Sequence, residues 1–128
     1  MILVDTSVWI ELLVDKRPPS IPDADLLRFA TCGPIIQEVL QGLRPTAESD
    51  LFGEAFLFLP TLSDPIPTGI FARAAEICRL GRRRGITIRS SVDCLIAAIA
   101  SENLVPVWHR DRDFSAIATY TPLEEVRL

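Results

Sequence analysis

The start of the chain limits its fold more than any other stretch: Ile2-Leu3-Val4 is purely apolar and gives way at once to Asp5-Thr6-Ser7. So short an apolar run fits a strand buried on both faces, as in a parallel sheet covered by helices. Asp5, Thr6 and Ser7 are helix-capping types, and Val8, Trp9, Leu12 and Leu13 then fall on one helical stripe. A carboxylate therefore stands where the strand passes into the helix.

The alternation continues. Residues 15–22 carry three prolines and read as a loop. Asp23 or Asp25 starts a short helix through Leu26, Leu27 and Ala30, and Thr31-Cys32-Gly33 closes a second strand. Pro34 suits a first helical position, and Ile35, Ile36, Val39, Leu40 and Leu43 mark one face of a helix that Pro45 stops. A helix over 46–57 precedes a weaker strand candidate, Phe58 to Leu62. The longest helix is predicted over 67–84, with Ile70, Phe71, Ala74, Ile77 and Cys78 inward. Ser90 or Ser91 caps a helix through Asn103 with Val92, Leu95, Ile96 and Ile99 on its core side. Val105 to Trp108 is a strand, His109 to Asp113 a turn, and a short helix through Ile117 and a strand near Val126 follow. Strands alternating with helices predict an α/β fold, an α/β/α sandwich around a central parallel sheet. Its 128 residues fit one domain, 1–128. Ligands of such sheets bind beyond the carboxyl ends of the strands, where Asp5 and Asp111 fall.

Charge is informative by its distribution. The net charge is −4, unpromising for a nucleic-acid binder. Residues 1–72 hold four basic residues against ten acids, whereas residues 73–128 hold nine arginines against seven acids. Arg79, Arg82, Arg83, Arg84 and Arg89 cluster, which suits either a solvated helix end or phosphate contact. Hydrophobic residues make up 48% and the mean hydropathy is +0.28, yet no run approaches the roughly 20 apolar residues of a membrane helix. No basic segment precedes Asp5 as a signal peptide requires, so a cytoplasmic protein with apolar surface for a partner is expected. Cys32, Cys78 and Cys94 form no CxxC pair and read as reduced, structural thiols.

Four acids stand apart because each abuts apolar sequence: Asp5, Glu38, Asp93 and Asp111. Singly, Asp5 reads as a helix cap, Asp93 as a first-turn charge, Asp111 as a turn residue and Glu38 as a rim residue. Together they fall where a parallel sheet gathers strand ends and helix starts. Converging carboxylates repel and need a cation, and oxygen ligands favour Mg²⁺ or Mn²⁺ over Zn²⁺.

In their order and spacing, Ile2-Leu3-Val4-Asp5-Thr6-Ser7, Ile36-Gln37-Glu38-Val39, Ser91-Val92-Asp93-Cys94-Leu95-Ile96-Ala97-Ala98 and Val107-Trp108-His109-Arg110-Asp111-Arg112-Asp113-Phe114 resemble the motifs of PIN domains. More narrowly, they resemble those of VapC-type toxins of bacterial toxin–antitoxin pairs. The resemblance implies an α/β/α fold, an Mg²⁺- or Mn²⁺-dependent ribonuclease activity, an RNA substrate, a cognate antitoxin and a homodimer. It carries catalytic and metal-binding roles onto Asp5, Glu38, Asp93 and Asp111, with Ser7 as a hydroxyl neighbour of the metal and Asp113 assisting. Arg82, Arg83, Arg84, Arg89, Arg110 and Arg112 are the expected RNA contacts. Many members have Thr where His109 stands, and His109 reads as a turn residue touching solvent or, failing that, substrate phosphate. Trp9, Leu12, Leu13, Phe52, Phe56 and Leu57 serve either the core or a groove for an antitoxin helix.

Other classes fit less well. A haloacid-dehalogenase-type phosphatase wants an Asp where Ser7 stands, and a receiver domain wants a late lysine, whereas the one lysine is Lys16. No Gly-Lys-Ser/Thr occurs. A small-molecule hydrolase and a non-catalytic interaction module of the same fold remain as alternatives.

Overall fold

A computed structural model of the chain describes residues 1–14 and 27–127. Strand β1 (Ile2–Val4) lies inside the sheet. Ile2 and Leu3 pair with Phe29 and Ala30 of β2 (Phe29–Ala30), while Leu3 and Val4 pair with Val107 and Trp108 of β3 (Val107–His109). Beyond β3 lies β4 (Glu125–Arg127), giving the order β2-β1-β3-β4 with every pairing parallel. Leu3, Val4 and Val107 are fully buried, as inner strands of a covered sheet must be, whereas β4 is exposed along its length.

Parallel neighbours need crossovers, which helices supply. Among the described residues these are α1 (Thr6–Val14), α2 (Gly33–Gln41), α3 (Ala47–Phe56), α4 (Thr68–Arg83), α5 (Ser91–Glu102) and α6 (Arg112–Ala118). Pro34 sits in the first turn of α2, where its missing N–H costs nothing. Thr46 Oγ1 accepts from Ser49 N at 3.1 Å and opens α3. The α4 stripe Ile70, Ala74 and Ile77 is buried, and α5 is sunk deepest, with Asp93, Cys94 and Ile96 through Ala100 all buried. Trp9 packs edge-on to Phe29 and Phe56 at 5.9 and 5.1 Å, and its Nε1 donates to Val4 O at 3.1 Å.

Several expectations shift. The second strand is Phe29–Ala30, earlier than Thr31-Cys32-Gly33, because those two buried residues align with Ile2 and Leu3. Of the candidate strand Phe58 to Leu62, only Thr61 pairs, in a single parallel bridge to Thr31, and Phe58 is exposed. Phe71 is half exposed rather than inward. Cys78 and Cys94, expected as free thiols, are joined by a disulfide because α4 and α5 bring their Cα atoms to 6.3 Å. The proline loop at 15–22 and the helix start at Asp23 or Asp25 lie outside the described residues.

Of the apolar residues set aside for core or partner, Trp9 and Phe56 are buried and Leu12 and Phe52 partly so, whereas Leu13 and Leu57 are exposed. No helix of the described residues is long and apolar enough to cross a membrane.

Candidate active site

The chain leaves β1 for β2 on one side and returns to β3 on the other, so the β1/β3 boundary is the sheet's switch point, where open α/β folds carry their ligands. Asp5 stands at that point. Its N–H donates to Trp108 O at 2.9 Å, its carbonyl accepts from Val8 N at 3.0 Å, and its Oδ2 accepts from Ser7 N at 3.0 Å and Ser7 Oγ at 2.5 Å. Asp5 is therefore a helix cap, and capping is what fixes its carboxylate. Asp111 repeats the device on the next strand: it N-caps α6, and its Oδ1 accepts from Asp113 N at 2.9 Å. Asp93 lies in the first turn of α5, where the helix dipole favours a negative charge.

These helix starts converge. Carboxylate oxygens of Asp93, Asp111 and Asp113 all lie within 4.8 Å of one another. Burial, then the charges of Asp111 and Asp5, then a hydrogen bond with Asp111 and the charge of Asp113, raise the Asp93 pKa well above the ordinary carboxylate range. Burial also raises Asp5, assisted by the charge of Asp111 and opposed by the Ser7 hydrogen bonds. Glu38, half-buried on α2, is raised by burial and by the charge of Asp5. Five acids thus repel one another in a desolvated corner, a condition that a proton or a cation relieves.

The donor set suits a cation that prefers oxygen. The only histidine, His109, has both ring nitrogens engaged elsewhere. Cys32 lies near Asp5 and Glu38, but burial pushes its thiol up to about 12, so it offers no thiolate.

Asp5, Asp93 and Asp111 meet as the sequence implied, and Glu38 reaches the group through its proximity to Asp5. Asp113, expected only to assist, sits in the tightest part of the cluster and is 6% exposed. Its Oδ2 also accepts from Arg89 N at 3.3 Å. Ser7, expected beside the metal, donates its hydroxyl to Asp5. His109 is a correction: it ends β3 and is 1% exposed, so it is not a turn residue facing solvent.

Beside the acids opens a pocket of about 500 Å³ lined by Arg89, His109, Arg110, Asp111, Arg112 and Arg127. Arg89, Arg110 and Arg112 were expected near substrate, whereas Arg127 was not singled out. Its signal was its place on a strand parallel to β3, where it pairs with His109. Arg110 Nη1 also bonds Glu11 of α1. Arg82, Arg83 and Arg84 do not line this pocket; they are exposed at the end of α4, with Arg84 6.0 Å from the Tyr120 ring centroid.

The PIN domain family model matches residues 2–120. VapC ribonuclease Mb1587 of Mycobacterium bovis is 37% identical over 134 residues, covering 97% of this chain and 96% of that relative. Ribonuclease VapC11 of Mycobacterium tuberculosis matches with the same identity and coverage. A solved structure of VapBC-5 from Mycobacterium tuberculosis, a member of the VapBC family of toxin–antitoxin systems, superposes with a TM-score of 0.71 at 25% identity, covering 98% of this chain and 97% of that one. The acids at the β1/β3 switch point thus sit in a chain that belongs to the PIN-domain family and, within it, to the VapC ribonucleases.

Proposed function

We propose that this chain is an Mg²⁺- or Mn²⁺-dependent endoribonuclease, the toxin of a toxin–antitoxin pair, which hydrolyses RNA phosphodiester bonds at the Asp5–Asp93–Asp111 corner. The observation that carries this reading is the convergence of buried acids from the starts of α1, α5 and α6 beside an arginine-lined pocket. Asp93, Asp111 and Asp113, whose carboxylate oxygens lie within 4.8 Å of one another, would hold the ion together with Asp5, whose charge acts on Asp93. A divalent cation bound there would supply Lewis acidity to a water and to the phosphoryl oxygens.

The chain's own groups do the rest. Glu38, half-exposed and with its pKa raised by burial and the Asp5 charge, is suited to orient the attacking water and accept its proton. Arg112 and Arg127 line the pocket and offer guanidinium forks to substrate phosphates, which lets an acidic protein hold RNA. Arg110 is partly committed to Glu11, and Arg89 to Asp113. The likeness to a VapBC toxin–antitoxin structure supports a cognate antitoxin; that partner and a homodimer are part of this reading, and exposed Ile10, Leu13 and Leu57 offer them apolar surface. A cytoplasmic location accords with these partners.

The test is RNA cleavage with Mn²⁺, with chelator, and by Asp93→Asn. Cleavage that chelator stops and Asp93→Asn lacks, in a folded variant, is the expected result. Full activity in Asp93→Asn would sink the assignment.

A further inference from the structure

His109 is nearly sealed from solvent, yet it carries two polar nitrogens and both are used. The Asp111 N–H donates to His109 Nδ1 at 3.0 Å. An amide can only donate, so Nδ1 bears a lone pair and the ring proton sits on Nε2. Nε2 faces Glu125 Oε2 at 2.6 Å, and that oxygen also accepts from Ser115 Oγ at 2.7 Å. A carboxylate at Nε2 selects this tautomer because it can only accept. The outcome is an ordered chain from the edge strand inward: Glu125 on β4 fixes the tautomer of His109 on β3, and His109 fixes the backbone of Asp111. Asp111 in turn binds Asp113 N at 2.9 Å, so the chain ends on two of the three acids in the tight cluster.

A purely structural role would be served more simply. An apolar side chain at the end of β3 would fill the same space against Phe114, whose ring centroid lies 5.2 Å from that of His109, without burying a polar ring. What the polar pair adds is orientation, since the amide–imidazole bond restricts the turn that presents the Asp111 carboxylate.

We propose that His109 and Glu125 are positioning residues, which hold Asp111 and Asp113 in the arrangement that receives the divalent cation. This rests on the metal-dependent reading of the site. Outer partners of metal ligands commonly change metal affinity by about 10–100-fold when removed.

The test is Mn²⁺ titration calorimetry, with thermal melting in parallel, on wild type, Glu125→Gln, Glu125→Ala and His109→Phe. Glu125→Gln keeps an oxygen that accepts from Nε2, so its affinity should stay within about three-fold of wild type, whereas Glu125→Ala and His109→Phe should weaken binding about ten-fold or more. Rescue by the amide separates positioning from simple loss of packing. Glu125 lies on the exposed edge strand, so its two variants decide the matter even if His109→Phe does not fold. Wild-type affinity in Glu125→Ala, or equal losses in Glu125→Gln and Glu125→Ala, would overturn the positioning role alone. A folded wild type that binds no Mn²⁺ would overturn it together with the metal-dependent reading.

Discussion

The Arg110 amide donates to Ser7 Oγ at 3.0 Å, joining the exit of β3 to the start of α1. The same hydroxyl donates to Asp5 Oδ2 at 2.5 Å, so one side chain sets both the aim of Asp5 and the spacing between two strand ends. Ser7→Ala removes both bonds. It is expected to cost about 1 kcal/mol of stability and to weaken Mn²⁺ binding several-fold, read by denaturant unfolding and calorimetry. Unchanged Mn²⁺ affinity would mean that the Ser7 N–H suffices to hold Asp5.

The raised carboxylates give stability a definite pH dependence. Asp93, Asp5 and Glu38 have higher pKa values folded than an exposed acid has, so the native state binds more protons than the unfolded one. Their contribution is complete below the unfolded carboxylate value of about 4 and is lost as pH rises through the raised values. Glu125 has the opposite sign. Burial pushes it up, but the Ser115 and His109 hydrogen bonds and nearby positive charge bring it below its usual value, so its contribution is lost only as pH falls through that lowered value. In chelator, the melting temperature should therefore decline as pH rises from weakly acidic to neutral, and Asp93→Asn should flatten the decline. A melting temperature that climbs over that range would contradict the electrostatics described.

RNA affinity should depend on the pocket arginines more than on the α4 cluster. Arg112→Ala and Arg127→Ala should each lower the slope of log affinity against log salt by about 0.7, the value for one contact to a single strand. The triple replacement of Arg82, Arg83 and Arg84 by Ala should change it less, because none of them lines the pocket. Filter binding over a salt series on an uncleaved RNA with Asp93→Asn as background distinguishes the two sets, and the reverse ranking would move the RNA path to the end of α4.

Gly81 marks a close approach. A Cβ there would lie 2.7 Å from Tyr120 Oη and 3.0 Å from Ile86 O, and Tyr120 Oη donates to Ile77 O at 2.9 Å. Gly81→Ala is expected to destabilise the fold by about 1–3 kcal/mol through overpacking, despite alanine's better helix propensity. Denaturant unfolding that shows a gain would mean that Tyr120 swings away freely.

The parallel sheet and the helix starts were legible because short buried runs end in capping acids, and that pattern is local. Asp5 and Asp111 could be singled out because each follows a short apolar strand where a helix cap is needed, and Asp93 because it interrupts apolar sequence in a helix's first turn. Asp113 was underrated because its place follows from the geometry of the Asp111 cap rather than from any contrast with its neighbours. His109 resembled a turn residue because the partner that justifies its burial, Glu125, lies sixteen positions later on an exposed edge strand with no apolar pattern. The same distance in sequence hid Arg127 from the pocket. Phe29–Ala30 was misplaced because a two-residue strand carries too little periodicity to fix its register.

The most direct test of the central claim is calorimetric titration of Mn²⁺ into the metal-free protein and into Asp93→Asn. Convergence of the acids predicts saturable binding by wild type that the substitution removes while the fold survives. No binding by a folded wild type, or undiminished binding by Asp93→Asn, would contradict it.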